Sequence, residues 1–165
     1  IYFRENGPGG VASASFRGTG ASHTTVLWNG VSLNSPMNGQ VDFSLFPTPF
    51  IDNAALYYGA SGLFNGSGAL GGSVALNNSV HFNKGLNITA QQSFGSFNHY
   101  ITNTKVGYSN KKWFTASQIY YKTNKNNFEY TNIALKDNPR ITQSNALTEQ
   151  YGFQQAIYRK FKNSK

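Results

Sequence analysis

From residue 85 onward the chain alternates between apolar and polar positions. Leu86, Ile88 and Ala90 are separated by Asn87, Thr89 and Gln91, with Ser93 continuing the polar series. A period of two puts the apolar groups on one face of a β-strand and the polar groups on the other. Three further segments of this style follow, at about 98–108, 113–122 and 150–161. Apolar or aromatic residues of matched parity bound all four: Leu86 with Phe94, Tyr100 with Tyr108, Trp113 with Tyr121, and Phe153 with Phe161. Every pair is eight residues apart.

Eight steps of about 3.3 Å span roughly 26 Å of strand, or about 20 Å of height at a tilt near 40°. That height is close to the roughly 25 Å apolar band between the aromatic girdles of outer-membrane barrels. Thr102, Thr104, Thr115 and Ser117 interrupt the apolar face, so a soluble antiparallel sheet stays open as the competing reading. Connection lengths are a second indication. Gly95 to Phe97 and Ser109 to Lys112 are tight, whereas Thr123 to Glu149 is long and polar. Short periplasmic turns and longer external loops are the barrel pattern. If the first strand rises outward, the Ser109 turn is periplasmic, the long segment is external, and the chain stops at a periplasmic turn, Asn163-Ser164-Lys165.

Residues 1–80 follow a different rhythm, glycine-rich with short apolar runs, which divides the chain into domains 1–80 and 81–165. Val26-Leu27-Trp28 leads through Asn29-Gly30 into Val31-Ser32-Leu33. Asn-Gly is a strong hairpin signal because both central positions of a type I′ turn need positive φ. Ala54 to Tyr58 reads as a strand stopped at Gly59, and Ser73 to Leu76 as another. Ser61 to Asn65 reads as one helical turn capped by Gly66.

Composition agrees with a β-rich chain: charged residues are 12%, aromatics 15%, and Gly 17 of 165. Lys+Arg 14 against Asp+Glu 6 gives 14 − 6 = +8, a charge that attracts anionic partners. The lysines sit at segment ends (Lys111-Lys112, Lys122, Lys125, Lys160, Lys162, Lys165) and form no arginine-rich stripe, which argues against nucleic acid. No apolar run is long enough for a spanning helix, while spanning strands remain open. The glycines from Gly59 to Gly72 contain no Gly-Lys-Ser/Thr and suit turns and close packing better than a nucleotide. His23, His81 and His99 are widely separated, and Glu5, Asp42, Asp52, Glu129, Asp137 and Glu149 are scattered singly. Neither a catalytic constellation nor a metal or cofactor site is therefore expected.

Three stretches carry a resemblance. Phe16-Arg17-Gly18, the hairpin Val26 to Leu33, and Phe64 to Leu76 with its Ala69-Leu70-Gly71-Gly72-Ser73-Val74 core resemble the plug domain of TonB-dependent outer-membrane receptors. Arg17-Gly18-Thr19-Gly20-Ala21-Ser22-His23 looks most like the cobalamin receptors within that family. Tyr58-Gly59-Ala60 departs from it, since many members have Arg-Gly-Pro there. Asn126-Asn127-Phe128-Glu129-Tyr130 looks like a segment of the first large external loop in receptors of Bacteroidetes type.

The resemblance implies a small mixed α+β plug followed by the first four antiparallel strands of a 22-stranded outer-membrane β-barrel. It also implies energised import of a scarce, large nutrient, cobalamin first and ferric siderophore or haem second. Substrate would meet the outward plug loops, Asn6, Gly7, Pro8, Gly9 and Gly10 together with Ser35, Pro36, Met37, Asn38, Gly39 and Gln40. Their amides offer donors and acceptors, and their glycines admit a ligand to the backbone. Arg17 would hold plug to barrel. Phe94, Tyr100, Tyr108, Trp113, Tyr121, Phe153 and Phe161 would form the membrane girdles. The implied partners are the remainder of the barrel, a TonB-type energy coupler acting through a segment upstream of Ile1, the outer membrane with its lipopolysaccharide, and a surface lipoprotein. Four strands cannot close a barrel, and open edges are costly in hydrocarbon, so an excerpt of a longer receptor is expected.

Overall fold

The computed structural model describes residues 2–5, 10–16, 18–58 and 69–161. The chain divides into two compact units, Ile1–Ser79 and Val80–Lys165.

In the first unit an antiparallel ribbon, β1 (Tyr2–Glu5) and β2 (Ala12–Ser15), precedes a mixed sheet of β3 (Thr24–Trp28), β4 (Val31–Ser32), β5 (Asn53–Tyr57) and β6 (Gly72–Asn77). Sheet order is β4-β3-β6-β5, with β3 parallel to β6 and the outer pairs antiparallel. Asn29 and Gly30 hold the expected hairpin turn, both with positive φ (49° and 85°). The two central strands are the most buried, which is what a strand paired on both sides and covered on both faces requires. Phe16, Val26, Val41, Val74 and Leu76 form the core, and Trp28, Leu33, Phe43, Phe46 and Ile51 pack against it.

The helical part of this unit is smaller than an α+β plug implies. Among the described residues it consists of three 3-10 turns, at Ala21–His23, Phe43–Leu45 and Thr48–Phe50. Pro47 and Pro49 punctuate the chain there, and Asp42 caps the second turn, so each ends after three residues. The helical turn expected at 61–65 lies outside the described residues.

The second unit is a four-stranded antiparallel sheet, β7 (Gly85–Gly95), β8 (His99–Ser109), β9 (Trp113–Asn124) and β12 (Thr148–Arg159), in the order β12-β9-β8-β7. It is an open sheet with β7 and β12 at its edges. Asn110 organises the β8–β9 turn, its Oδ1 accepting from the Lys112 and Trp113 amides, both at 2.8 Å.

Two expectations need correction. β12 ends at Arg159, so Phe161 lies past the strand rather than inside it. The segment from Thr123 to Glu149 is not a plain polar loop. β9 and β12 extend into it, and β10 (Glu129–Thr131) pairs with β11 (Arg140–Thr142) within it. Aromatic packing accounts for the difference: Phe128 meets Phe97 at 5.8 Å and Tyr130 at 6.2 Å between ring centres. Buried Asn126 adds a hydrogen bond from Nδ2 to the Ala146 carbonyl at 2.8 Å.

Candidate functional site

Strand register sorts the second unit into two chemically opposite faces. Leu86 lies opposite Tyr108, Phe94 opposite Tyr100, Tyr121 opposite Tyr151, and Ile119 opposite Phe153. Because side chains alternate, these residues share one face with Ile88, Val106, Trp113 and Ile157. All of them are exposed. The other face carries Asn87, Thr89, Gln91, Asn103, Lys105, Gln118, Lys122, Gln150 and Gln154 together with Ile101, Phe114, Ala116, Tyr120 and Tyr158; at its centre Asn103, Ala116, Gln118 and Tyr120 are buried, whereas Asn87, Thr89 and Gln91 on the edge strand β7 are exposed. Ile119 is 61% exposed while its neighbour Gln118 is 2% exposed. Gln118 Nε2 donates to Asn103 Oδ1 at 2.8 Å on that side. A sheet that exposes a whole aliphatic and aromatic face while covering the central amides Asn103 and Gln118 on the other departs from the pattern that water selects.

Three of the four hydroxyls that interrupt the apolar face are paired across strands. Thr102 Oγ1 donates to Gln92 Oε1 at 2.6 Å, Ser117 Oγ to Gln155 Oε1 at 2.5 Å, and Gln155 Nε2 to Thr115 Oγ1 at 3.0 Å. Pairing removes much of the cost of placing them against an apolar medium.

In the first unit the segment from Ser35 to Gln40 is a tightly closed loop. The Ser35 amide donates to the Gln40 carbonyl at 2.9 Å, and the Gly39 amide to the Ser35 carbonyl at 2.8 Å. Asn34 anchors it: Oδ1 accepts from the Val26 amide, and Nδ2 donates to the carbonyls of Thr24 and Gly39, all at 2.8 Å. An open cleft of about 520 Å³ lies at the base of the loop. Ser35, Asn38 and Gln40 contribute to its lining, whereas Pro36, Met37 and Gly39 do not. Met37 is 89% exposed. Asn6, Gly7, Pro8 and Gly9 lie outside the described residues. Gly10 is described and half-buried, and the next residue, Val11, lines the cleft.

Leu33, Val41, Asp42, Leu45 and Phe46 complete the lining and were not singled out by sequence. Only the Asp42-x-Ser44 spacing, a local capping pattern, signals any of them. Asp42 Oδ1 accepts from the Ala12 amide at 2.9 Å, the Ser44 amide at 3.0 Å and the Ser44 hydroxyl at 2.7 Å. Burial alone would raise its pKa, but these bonds outweigh burial and hold the carboxyl below its ordinary value of 3.8. With a lowered folded pKa, its stabilisation is complete above 3.8 and fades as pH falls through the lower folded value. We expect Asp42→Ala to release the tie between β2 and this turn. The loss of about 1–2 kcal/mol would appear as roughly tenfold faster hydrogen exchange at the Ala12 and Ser44 amides. Unchanged exchange at both amides would contradict this.

The sheet order, the buried turn at Phe16 and the Gly71-Gly72 entry into β6 now stand together. Residues 1–73 match the TonB-dependent Receptor Plug Domain. No curated protein matches the chain. Plug domains of this family belong to outer-membrane proteins of Gram-negative bacteria, sit in a barrel and work with a TonB-type coupler. The plug match stops short of the four-stranded sheet, whose two faces are an independent observation.

Within the plug, Arg17 lies outside the described residues. Its neighbours form a tight turn, with the Thr19 amide and hydroxyl both donating to the Phe16 carbonyl at 2.8 Å. Phe16 is fully buried and meets Tyr58 edge-on at 5.3 Å. Among the described residues no three His, Asp or Glu side chains gather to hold a metal.

Proposed function

We propose that this chain is the plug and the opening barrel strands of an energised outer-membrane receptor that imports a scarce, large nutrient. The observation that carries the reading is the character of the sheet: a continuous exposed aliphatic and aromatic face, backed by a largely polar face whose central amides Asn103 and Gln118 are buried, directly following a plug domain. Such a sheet suits a wall with lipid on one side and a polar lumen on the other. In this reading β7 and β12 pair with further strands of a 22-stranded barrel, because unpaired strand edges are costly in hydrocarbon. The coupler would pull on a segment upstream of Ile1.

Cobalamin is the first candidate substrate, on the resemblance of residues 17–23, with ferric siderophore and haem next. Ser35, Asn38 and Gln40 would form the plug's part of the ligand floor, since all three line the open cleft. Equilibrium binding of cobalamin, haem and ferric siderophores to the full-length receptor tests the reading. We expect one of them to bind at about micromolar concentration or tighter. Replacing Ser35, Asn38 and Gln40 together by Ala should weaken that binding by roughly tenfold or more. If no ligand bound at that level, a plug-bearing scaffold without transport would replace the importer reading.

A further inference from the structure

Among the described residues, one end of the four-stranded sheet presents five cations and no carboxylate. Lys84 precedes β7, Lys111 and Lys112 lie in the β8–β9 turn, Arg159 closes β12, and Lys160 follows it. Backbone contacts make them neighbours. The Lys160 amide donates to the Lys112 carbonyl at 2.8 Å, Arg159 stands opposite Trp113, and the Lys84 amide donates to Ser109 Oγ at 3.0 Å. All five residues are exposed.

The carboxylates of this unit lie elsewhere. Glu149 is paired with Thr123, ten residues along β12 from Arg159, which is about 33 Å of extended chain. Glu129 is in β10, and Asp137 lies between β10 and β11. The loop end therefore mixes both signs, with Lys122, Lys125, Lys136 and Arg140 among these carboxylates. The turn end has one sign only.

Aromatic residues fix the level of this charge. The Arg159 guanidinium lies 5.0 Å from the Trp113 ring centre and 5.1 Å from that of Phe161, and Leu86 and Tyr108 continue the apolar face along the same edge. Stacking on two rings holds the guanidinium beside the girdle rather than free in solvent. From β12 to β7 the cations are strung over three strand spacings, about 14 Å. A line of charge at one height, bordered by an aromatic belt, fits a layer of anions rather than a single bound ion.

We propose that this rim docks the phosphate headgroups of anionic glycerophospholipids in the leaflet at the Ser109–Lys112 end. The proposal rests on the sheet being a membrane wall, and the anionic headgroup follows from the row of cations beside the aromatic belt, with no opposing carboxylate among the described residues of the rim. Each cation at an anionic surface contributes a several-fold preference, and the effect fades with salt.

The test is native mass spectrometry of the full-length receptor in bilayers of phosphatidylcholine containing a minority of phosphatidylglycerol. The wild type should retain phosphatidylglycerol preferentially. Lys111→Gln, Lys112→Gln and Lys160→Gln combined should lower that preference by roughly tenfold or more. The corresponding triple Arg variant should keep it, and added salt should erode it. Three results would overturn the proposal while leaving the wall in place: equal retention of both lipids, an unchanged preference in the inserted triple Gln variant, or displacement of phosphatidylglycerol by inorganic phosphate alone. Failure of the wild type to insert into either bilayer would instead overturn the wall reading, and this proposal with it.

Discussion

Ile119→Arg is expected to destabilise the protein in a bilayer. Ile119 is 61% exposed on the apolar face, two residues inside the girdle position Tyr121. If that face meets lipid, a guanidinium at this level, between midplane and interface, costs roughly 1–3 kcal/mol. If it met water, replacing an exposed isoleucine by arginine would alter stability by no more than about 0.5 kcal/mol and would improve solubility. The two environments thus give clearly different stability changes for one substitution. Thr89→Arg is the control, since Thr89 belongs to the opposite, amide-rich face where lumen water would hydrate the charge. Equilibrium unfolding from bilayers, with heat-dependent migration on gels as a simpler readout, should show the Ile119 variant destabilised and the Thr89 variant near wild type. Equal behaviour of the two variants would remove the membrane wall and return the sheet to water.

The same contrast explains why the strands were legible in the sequence. Alternation is a local property, so Leu86-Asn87-Ile88-Thr89 announces a strand and its two faces without knowledge of its partners. The residues expected at the girdles were chosen by parity, and register brings Phe94 against Tyr100 with ring centres 5.7 Å apart. The Asn29-Gly30 turn was legible for a similar reason, as its backbone demand is written in two adjacent residues. Contacts between distant segments were not. β1 and β2 are short and mixed in character, and nothing in Tyr2-Phe3-Arg4-Glu5 names Ala12–Ser15 as its partner. The β10–β11 ribbon was hidden in a polar stretch and rests on Phe128 meeting Phe97, a residue 31 positions earlier. Phe97 also takes positive φ (59°) in the β7–β8 turn, a conformation its bulk would not suggest. The cleft followed the same rule: the polar loop residues could be guessed from composition, whereas Val41, Leu45 and Phe46 line it only because the 3-10 turn beginning at Phe43 folds back there.

Gly72→Ala should loosen the plug by about 2–4 kcal/mol. Gly72 opens β6 opposite Thr24 in the parallel pair, and its φ of 149° is one that side chains disfavour. An added Cβ would stand 2.8 Å from the Tyr57 carbonyl oxygen and 3.1 Å from Phe16 Cδ1. The carbonyl cannot easily yield, because Tyr57 is paired with Ser73 in the β5–β6 ladder. The ring has no free space either, since Phe16 is fully buried against Tyr58. Overpacking at such a site costs about 1–3 kcal/mol, and the backbone strain adds about 1 kcal/mol. Phe16→Ala alone should cost about 3–5 kcal/mol through the cavity it leaves. Combining the two separates the causes: the methyl partly fills the cavity and loses its clash with the ring, but keeps its clash with the carbonyl. The double variant should therefore be less destabilised than the sum of the single variants, by about 1 kcal/mol or more. Native-state hydrogen exchange at Thr25 and Val74, central in β3 and β6, would measure all three within the intact receptor. Simple additivity would mean that the ring and the glycine act independently, and the close approach of Phe16 to β6 would not be what requires glycine at residue 72.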